Sequence, residues 1–227
     1  MQYTYLLINL GTILVPFIFS FHPRIRFDRM WKHFLPVVFP VAAAFIVWDI
    51  LFTKAGIWSF NPRYVTGIDL YNLPLEEVLF FFCIPYACVF TYYCLDKFYN
   101  LNWKPANEKT FVVLFSFLMI ALGIVFRDRW YPFVTFTSTA LVILLLYFVA
   151  GIRWMGKAVS VYAILLIPFF IVNGILTGTG LEEPVVMYNN AENLGLRILT
   201  IPVEDSIYGF ELILLNIAGF EWLRSRK

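Results

Sequence analysis

Apolar residues run along this chain in long blocks, not in the short alternating or amphipathic patterns of water-soluble domains. Seven blocks stand out, at 2–21, 33–53, 73–95, 109–126, 130–150, 157–179 and 201–222. Each is close to the roughly 17–25 mostly apolar residues that a helix needs to cross a bilayer. Unpaired backbone groups are costly in hydrocarbon, so each block is expected to be helical. The pattern predicts an all-α integral membrane bundle of seven transmembrane helices. The fourth block is the shortest, and only Arg127-Asp128-Arg129 separates it from the fifth. No basic stretch precedes the first block and no small-residue cleavage site follows it, so it reads as a retained helix.

The polar breaks repeat. Leu73-Pro74-Leu75-Glu76-Glu77-Val78 opens the third block, and Ile201-Pro202-Val203-Glu204-Asp205-Ser206 opens the seventh. Asp49-Ile50-Leu51 precedes the first motif by one loop, and Asn173-Gly174-Ile175-Leu176 precedes the second. This predicts two parallel three-helix repeats, in 1–100 and 129–227, joined by a connecting helix in 101–128. The copies start four spans apart, so their axis lies along the membrane normal, and both acidic motifs enter from the same side. A single Pro-x-acid-acid motif is a good helix start, because proline suits the first turn and a carboxylate complements the helix dipole. Two copies at matched positions, tucked into apolar helices, point to function as well. Glu204, Tyr208 and Glu211 follow at i, i+4 and i+7, on one helix face. Together with Asp49 and Asn173, they suggest an acidic pocket between the repeats.

Composition agrees with a lipid setting. Hydrophobic residues make up 61% of the chain, charged residues only 14%, and the mean hydropathy is +0.76. Water-soluble proteins carry about 25% charged residues, so this chain could not cover itself in water. Of the 17 Lys and Arg residues, 12 fall in the loops of one side and 5 on the other. The richer side should be cytoplasmic, with the N-terminus outside, the C-terminus inside and the long connections 54–72 and 180–200 outside. The cytoplasmic membrane is the expected location. A net charge of +2 argues against nucleic-acid binding. Cys83, Cys88 and Cys94 match no metal or redox spacing and read as packing. Two histidines, His22 and His33, are too few for a histidine-rich di-iron site, and no metal site is expected.

One residue in five is aromatic, and several rings follow the acids directly, as in Leu79-Phe80-Phe81-Phe82 and Tyr208-Gly209-Phe210. A protonated carboxyl can give its proton to an alkene, and desolvated aromatic faces can stabilise the resulting cation by about 2 kcal/mol or more. The blocks Asn72-Leu73-Pro74-Leu75-Glu76-Glu77-Val78-Leu79-Phe80-Phe81 and Thr200-Ile201-Pro202-Val203-Glu204-Asp205-Ser206-Ile207-Tyr208-Gly209-Phe210 resemble the signatures of the membrane lycopene cyclases. Val172-Asn173-Gly174-Ile175-Leu176-Thr177 and Phe220-Glu221-Trp222-Leu223 are similar to that family as well. In the family the two halves are separate subunits in some lineages and one chain in others, and this chain resembles the fused form.

The resemblance implies cyclisation of the linear end groups of lycopene to β-ionone rings, an isomerisation by proton addition and proton loss. It makes Glu76, Glu77, Glu204 and Asp205 the acid and base candidates, with Glu77 and Glu204 expected to be indispensable. Asp49, Asn173, Glu211, Tyr208, Phe80 and Phe81 become positioning or substrate-binding candidates. The partners it implies are a carotenoid held in the bilayer, membrane lipid, and other enzymes of the carotenoid pathway. Related members act on prenylated carotenoids, so substrate identity stays open. No cofactor is expected, because Gly178-Thr179-Gly180 lacks the strand, third glycine and helix of a dinucleotide fingerprint. A proton-coupled transporter is the main competing class, since intramembrane acids and a parallel repeat would suit it. A retinal-binding opsin needs a lysine in its last span, and 201–222 has none. A prenyltransferase needs Asp-rich motifs, and no Asp-Asp pair exists.

Overall fold

The computed structural model describes residues 1–226. Seven helices carry the chain: α1 (Thr4–Ser20), α2 (Trp31–Lys54), α3 (Leu75–Phe98), α4 (Pro105–Val125), α5 (Trp130–Leu144), α6 (Met155–Leu176) and α7 (Val203–Ser225). A 3-10 turn leads into α2, and α5 continues as a π-turn to Val149. Six of these segments are long and apolar enough to cross a membrane. The seventh, α1, has 17 residues and falls just short of that length. Large apolar side chains cover the outside of the bundle, among them Leu7, Leu14, Phe39, Phe117 and Ile167. Exposed apolar surface on this scale is a liability in water, and it is what lipid requires.

At the core, α3 packs against α1, α2, α6 and α7. Gly219 of α7 sits against Val37 of α2, where any side chain on residue 219 would collide with it. Small residues at crossings let helix backbones approach closely, which is how membrane helices gain packing energy. At one end, Asp96 of α3 accepts from Lys157 of α6 at 2.5 Å and from Arg224 of α7 at 3.0 Å, tying three helices together.

At the other end lie the two long connections, between α2 and α3 and between α6 and α7. They contain six short strands: β1 (Trp58–Phe60), β2 (Asp69–Leu70) and β3 (Leu73–Pro74) before α3, and β4 (Val186–Tyr188), β5 (Arg197–Ile198) and β6 (Ile201–Pro202) before α7. The blocks starting at 73 and 201 therefore begin as strand, because Pro74 and Pro202 hold extended backbone before the helix starts.

The same local arrangement is built twice. β2 pairs with β3 and β5 with β6 across two-residue turns, with Tyr71 and Leu199 in the left-handed region at φ 63° and 59°. Such a conformation costs bulky residues about 1–2 kcal/mol, so the surroundings must enforce it. Asn72 donates to the carbonyl of Ile50 at the end of α2, and Thr200 to that of Gly174 at the end of α6. The two connections then join, β1 pairing antiparallel with β4 in the register Trp58↔Tyr188, Ser59↔Met187 and Phe60↔Val186. Hence α3 and α7 both start at the same end of the bundle.

Directly paired residues of an antiparallel ladder lie about 4.5–5.5 Å apart at Cα, within disulfide range. Ser59→Cys with Met187→Cys, in a chain with Cys83, Cys88 and Cys94 replaced by Ala, should therefore crosslink under mild oxidant and migrate faster on a non-reducing gel. Failure to crosslink while each single cysteine reacts freely with maleimide would contradict this register.

Candidate active site

Helix initiation at Pro74 and Pro202 sets the direction of two adjacent acids in each motif. Neighbouring positions on a helix point about 100° apart, so the two acids of a pair cannot share one environment. The first acid of each pair turns back to its own loop. An Oε1 of Glu76 accepts from the Thr66 amide at 2.7 Å, and that of Glu204 from the Leu194 amide at 2.5 Å, each ten residues upstream. The second acid of each pair, Glu77 or Asp205, turns inward and lines a cavity between the helices.

Glu77 is buried, and its Oε2 accepts from the Tyr5 hydroxyl of α1 at 2.6 Å. Asp49 of α2 is buried as well and lines the same cavity. Tyr208 of α7 in turn donates to Asp49 Oδ1 at 3.0 Å. Two carboxyl groups buried around one small cavity disfavour two charges there. Two tyrosine–carboxyl pairs, Tyr5 with Glu77 and Tyr208 with Asp49, thus face one cavity from α1, α3, α7 and α2.

Asp205 has different company. Tyr131 of α5 donates to Oδ1 at 2.6 Å and Tyr188 of β4 donates to Oδ2 at 2.8 Å. Both oxygens are acceptors here, the arrangement that suits an ionised carboxylate. Burial first, and then the charge of Asp205, push the Tyr188 phenol well above its ordinary pKa, so it keeps its proton and remains a donor in alkaline solution.

Aromatic rings fill the space between the two centres. Trp58 packs edge-on to Tyr131, Tyr188 and Tyr208, with centroids 5.2, 6.0 and 6.2 Å away. Tyr131 and Tyr188 stack at 6.0 Å. Trp58 and Tyr188 are opposite each other on the β1–β4 ladder, so the sheet caps the cavity and supplies two of its walls.

The remaining expected residues divide. Phe80, Tyr208, Asp49 and Asn173 line the cavity. Phe81 packs behind it against Phe45 and Leu212. Glu211 lies apart, accepting from Ser138 at 2.7 Å and Thr139 at 2.8 Å on α5. Glu204, Tyr208 and Glu211 therefore have separate partners, although helical spacing puts them on one face. Sequence reasoning missed Tyr5, Tyr131 and Tyr188. Two of them shared a signal, since Tyr5 and Tyr131 both stand in the opening turn of an apolar helix, α1 and α5.

A family model described as lycopene cyclase matches residues 2–95 and 128–223, covering both acidic motifs and both carboxyl centres. The chain belongs to the lycopene cyclase family. The unmatched stretch between the two segments holds α4. Among curated lycopene cyclase relatives, "Bifunctional lycopene cyclase/phytoene synthase" of Podospora anserina is 30% identical over 101 residues, 43% of this chain and 17% of that protein. The protein of the same description from Aspergillus oryzae is 29% identical over 97 residues, 41% of this chain and 16% of the relative. That of Phaeosphaeria nodorum is 41% identical over 54 residues, 24% of this chain and 9% of the relative. The matched stretches thus span less than a fifth of those relatives' length. No solved structure matches the chain significantly.

Leaving a buried amide without an acceptor costs about 1–3 kcal/mol. Glu76→Ala and Glu204→Ala should therefore each lower the melting temperature of the detergent-solubilised protein, whereas Gln, which keeps an acceptor oxygen, should restore most of it. Equal melting temperatures for the Ala and wild-type proteins would refute the clamp role.

Proposed function

We propose that this protein is a lycopene β-cyclase, an isomerase that closes the linear ends of lycopene into β-ionone rings without net redox change. One observation carries the reading: on family-matched helices, two carboxyl centres, Glu77 with Asp49 and Asp205 between two phenol donors, face one aromatic-walled cavity. Glu77 and Asp49, two buried carboxyls on one cavity that cannot both be charged cheaply, keep one proton and are the acid. Asp205, held between two phenol donors, is the base and the counter-ion.

In this mechanism the acid adds its proton to the terminal double bond of the end group, leaving a tertiary carbocation. A neighbouring double bond attacks that centre, and the new carbon–carbon bond closes the ring and moves the charge onto it. Trp58, Tyr131 and Tyr208 present π faces to the cation, and Phe80 adds another ring. Asp205 then takes a proton from the ring carbon beside the charge, which leaves the ring double bond. One proton enters and another leaves, so no oxidant or reductant is consumed. Tyr5, Tyr188 and Asn173 act as positioning groups.

We take α1–α3 (within 1–100) and α5–α7 (within 129–227) as parallel copies joined by α4 (within 101–128). The twice-built hairpins, clamps and tyrosine–carboxylate bonds support this. At roughly 25 Å, α1 is close to the hydrocarbon thickness, and we count it as the seventh span. The excess of basic residues at the end opposite the acidic motifs supports a cytoplasmic C-terminus, in the cytoplasmic membrane, with the carotenoid reached through lipid. Contact with other carotenoid-pathway enzymes belongs to this reading.

Removing a positioned acid or base costs about 10²–10⁴-fold in rate. Glu77→Gln and Asp205→Asn should lower lycopene conversion by that factor, as read by pigment chromatography. Glu76→Gln and Glu204→Gln should stay within a few-fold of wild type. The reverse ranking would remove Glu77 and Asp205 from the chemistry, and a wild-type protein that leaves lycopene unchanged would favour a transporter.

Cyclisation in heavy water should leave about one deuterium per ring, on the carbon protonated first. Unlabelled rings after single turnovers by fully exchanged enzyme would rule out a solvent-exchangeable carboxyl as initiator.

A further inference from the structure

Two lateral crevices reach into the bundle from its lipid-facing surface. The first runs between α1, α3 and α6, past Gly11 and Pro16 of α1, Ala87 and Thr91 of α3, and Ile171 of α6. From Tyr162 to Ile175 on α6 it is roughly 20 Å long. Its walls are mostly apolar, with small residues such as Gly11 and Ala87 set among larger ones such as Leu165 and Phe169. A Cβ on Gly11 would meet nothing within 4 Å. The hydroxyls of Thr12 and Thr91 turn back to the carbonyls of Ile8 and Ala87, so neither asks for water in the groove.

This groove is continuous with the acid cavity: Ile84, Phe169, Asn173 and Ile213 line both. The second crevice lies between α2 and α5, lined by Ala44, Trp48, Phe52, Trp130 and Val134 among others, and none of its lining residues lines the acid cavity. Trp48 and Phe52 close it off. The Trp48 indole packs edge-on against Tyr208 at 5.2 Å, and Phe52 packs against Trp58 at 5.0 Å and Tyr131 at 6.2 Å. In the paired-repeat reading the crevices are counterparts. Trp48 precedes Asp49 as Val172 precedes Asn173, and the larger side chain seals the one side.

We infer that the α1–α3–α6 groove is the seat of the linear polyene, with its reacting end in the acid cavity and its far end leaving between α1 and α6 into the bilayer. The inference rests on the cyclase reading and adds to it a side and a direction of substrate access. The occupant follows from the chemistry at the two ends of the groove. One end opens to lipid, the only phase that carries so apolar a molecule. The other end meets a proton donor, which an acyl chain of bilayer lipid would not use. The capping β1–β4 ladder stands between the cavity and the aqueous side.

Gly11→Trp and Ile171→Trp each narrow the groove from a different wall, and Ala44→Trp narrows the other crevice as a control. All three positions are exposed to lipid, so the variants are expected to insert normally. Gly11→Trp and Ile171→Trp should lower kcat/KM for lycopene at least tenfold, mainly through KM. Ala44→Trp should leave it unchanged. A short acyclic terpene with the same end group, too short to reach Gly11, should be converted by all three at the wild-type rate. Unchanged lycopene kinetics in both groove variants would leave the groove to lipid acyl chains and overturn the inference, as would equal losses in Ala44→Trp. If the wild-type protein converts neither compound, it is the cyclase reading that fails.

Discussion

A carboxyl group carried into a lipid-embedded bundle must find hydrogen-bond partners there, because no solvent will supply them. Glu77, Asp49 and Asp205 are all buried, and each is met by at least one tyrosine hydroxyl from another helix or strand. Tyrosine suits this task because its ring packs as an apolar wall while its hydroxyl reaches the acid. Much of the fold follows from this need. Tyr5 draws α1 onto α3, Tyr131 draws α5 onto α7, and Tyr208 draws α7 onto α2.

The cost of these buried acids is spread over the loops. Each first-turn pair sends one carboxylate to an amide of the preceding connection, which fixes the hairpin, and the hairpin fixes the proline that starts the helix. The second acid inherits its aim from that start. Apolar packing elsewhere, including the Gly219–Val37 crossing and the aromatic cluster around Phe27 and Tyr86, holds the helices but does not choose where the acids point.

The hydrophobic blocks located the helices well, with α2 at Trp31–Lys54 against an expected 33–53 and α6 at Met155–Leu176 against 157–179. Transmembrane length is a strong signal because the bilayer sets it. The six strands were invisible for the opposite reason: each is two or three residues long, and β1 finds its partner in a connection more than a hundred residues away. The acidic motifs stand at the openings of α3 and α7, yet adjacency hid which acid of each pair faces inward. Glu204 attracted attention through its spacing to Tyr208 and Glu211, while its carboxylate is engaged with Leu194. Tyr5, Tyr131 and Tyr188 were lost among so many other rings, since composition cannot say which hydroxyl meets an acid.

The β1–β4 ladder has a consequence for how such a molecule is put together. Its two strands come from opposite halves of the polypeptide, and each alone would be a bare edge with unanswered amides. Where a lineage encodes the halves as separate subunits, the equivalent ladder would become an intermolecular seam, with one strand completing the other by β-augmentation. Trp58 and Tyr188 face each other across it, so neither half owns a finished lid. Assembly and competence would then be a single event, and an unpaired half would hold its acid in an open vessel.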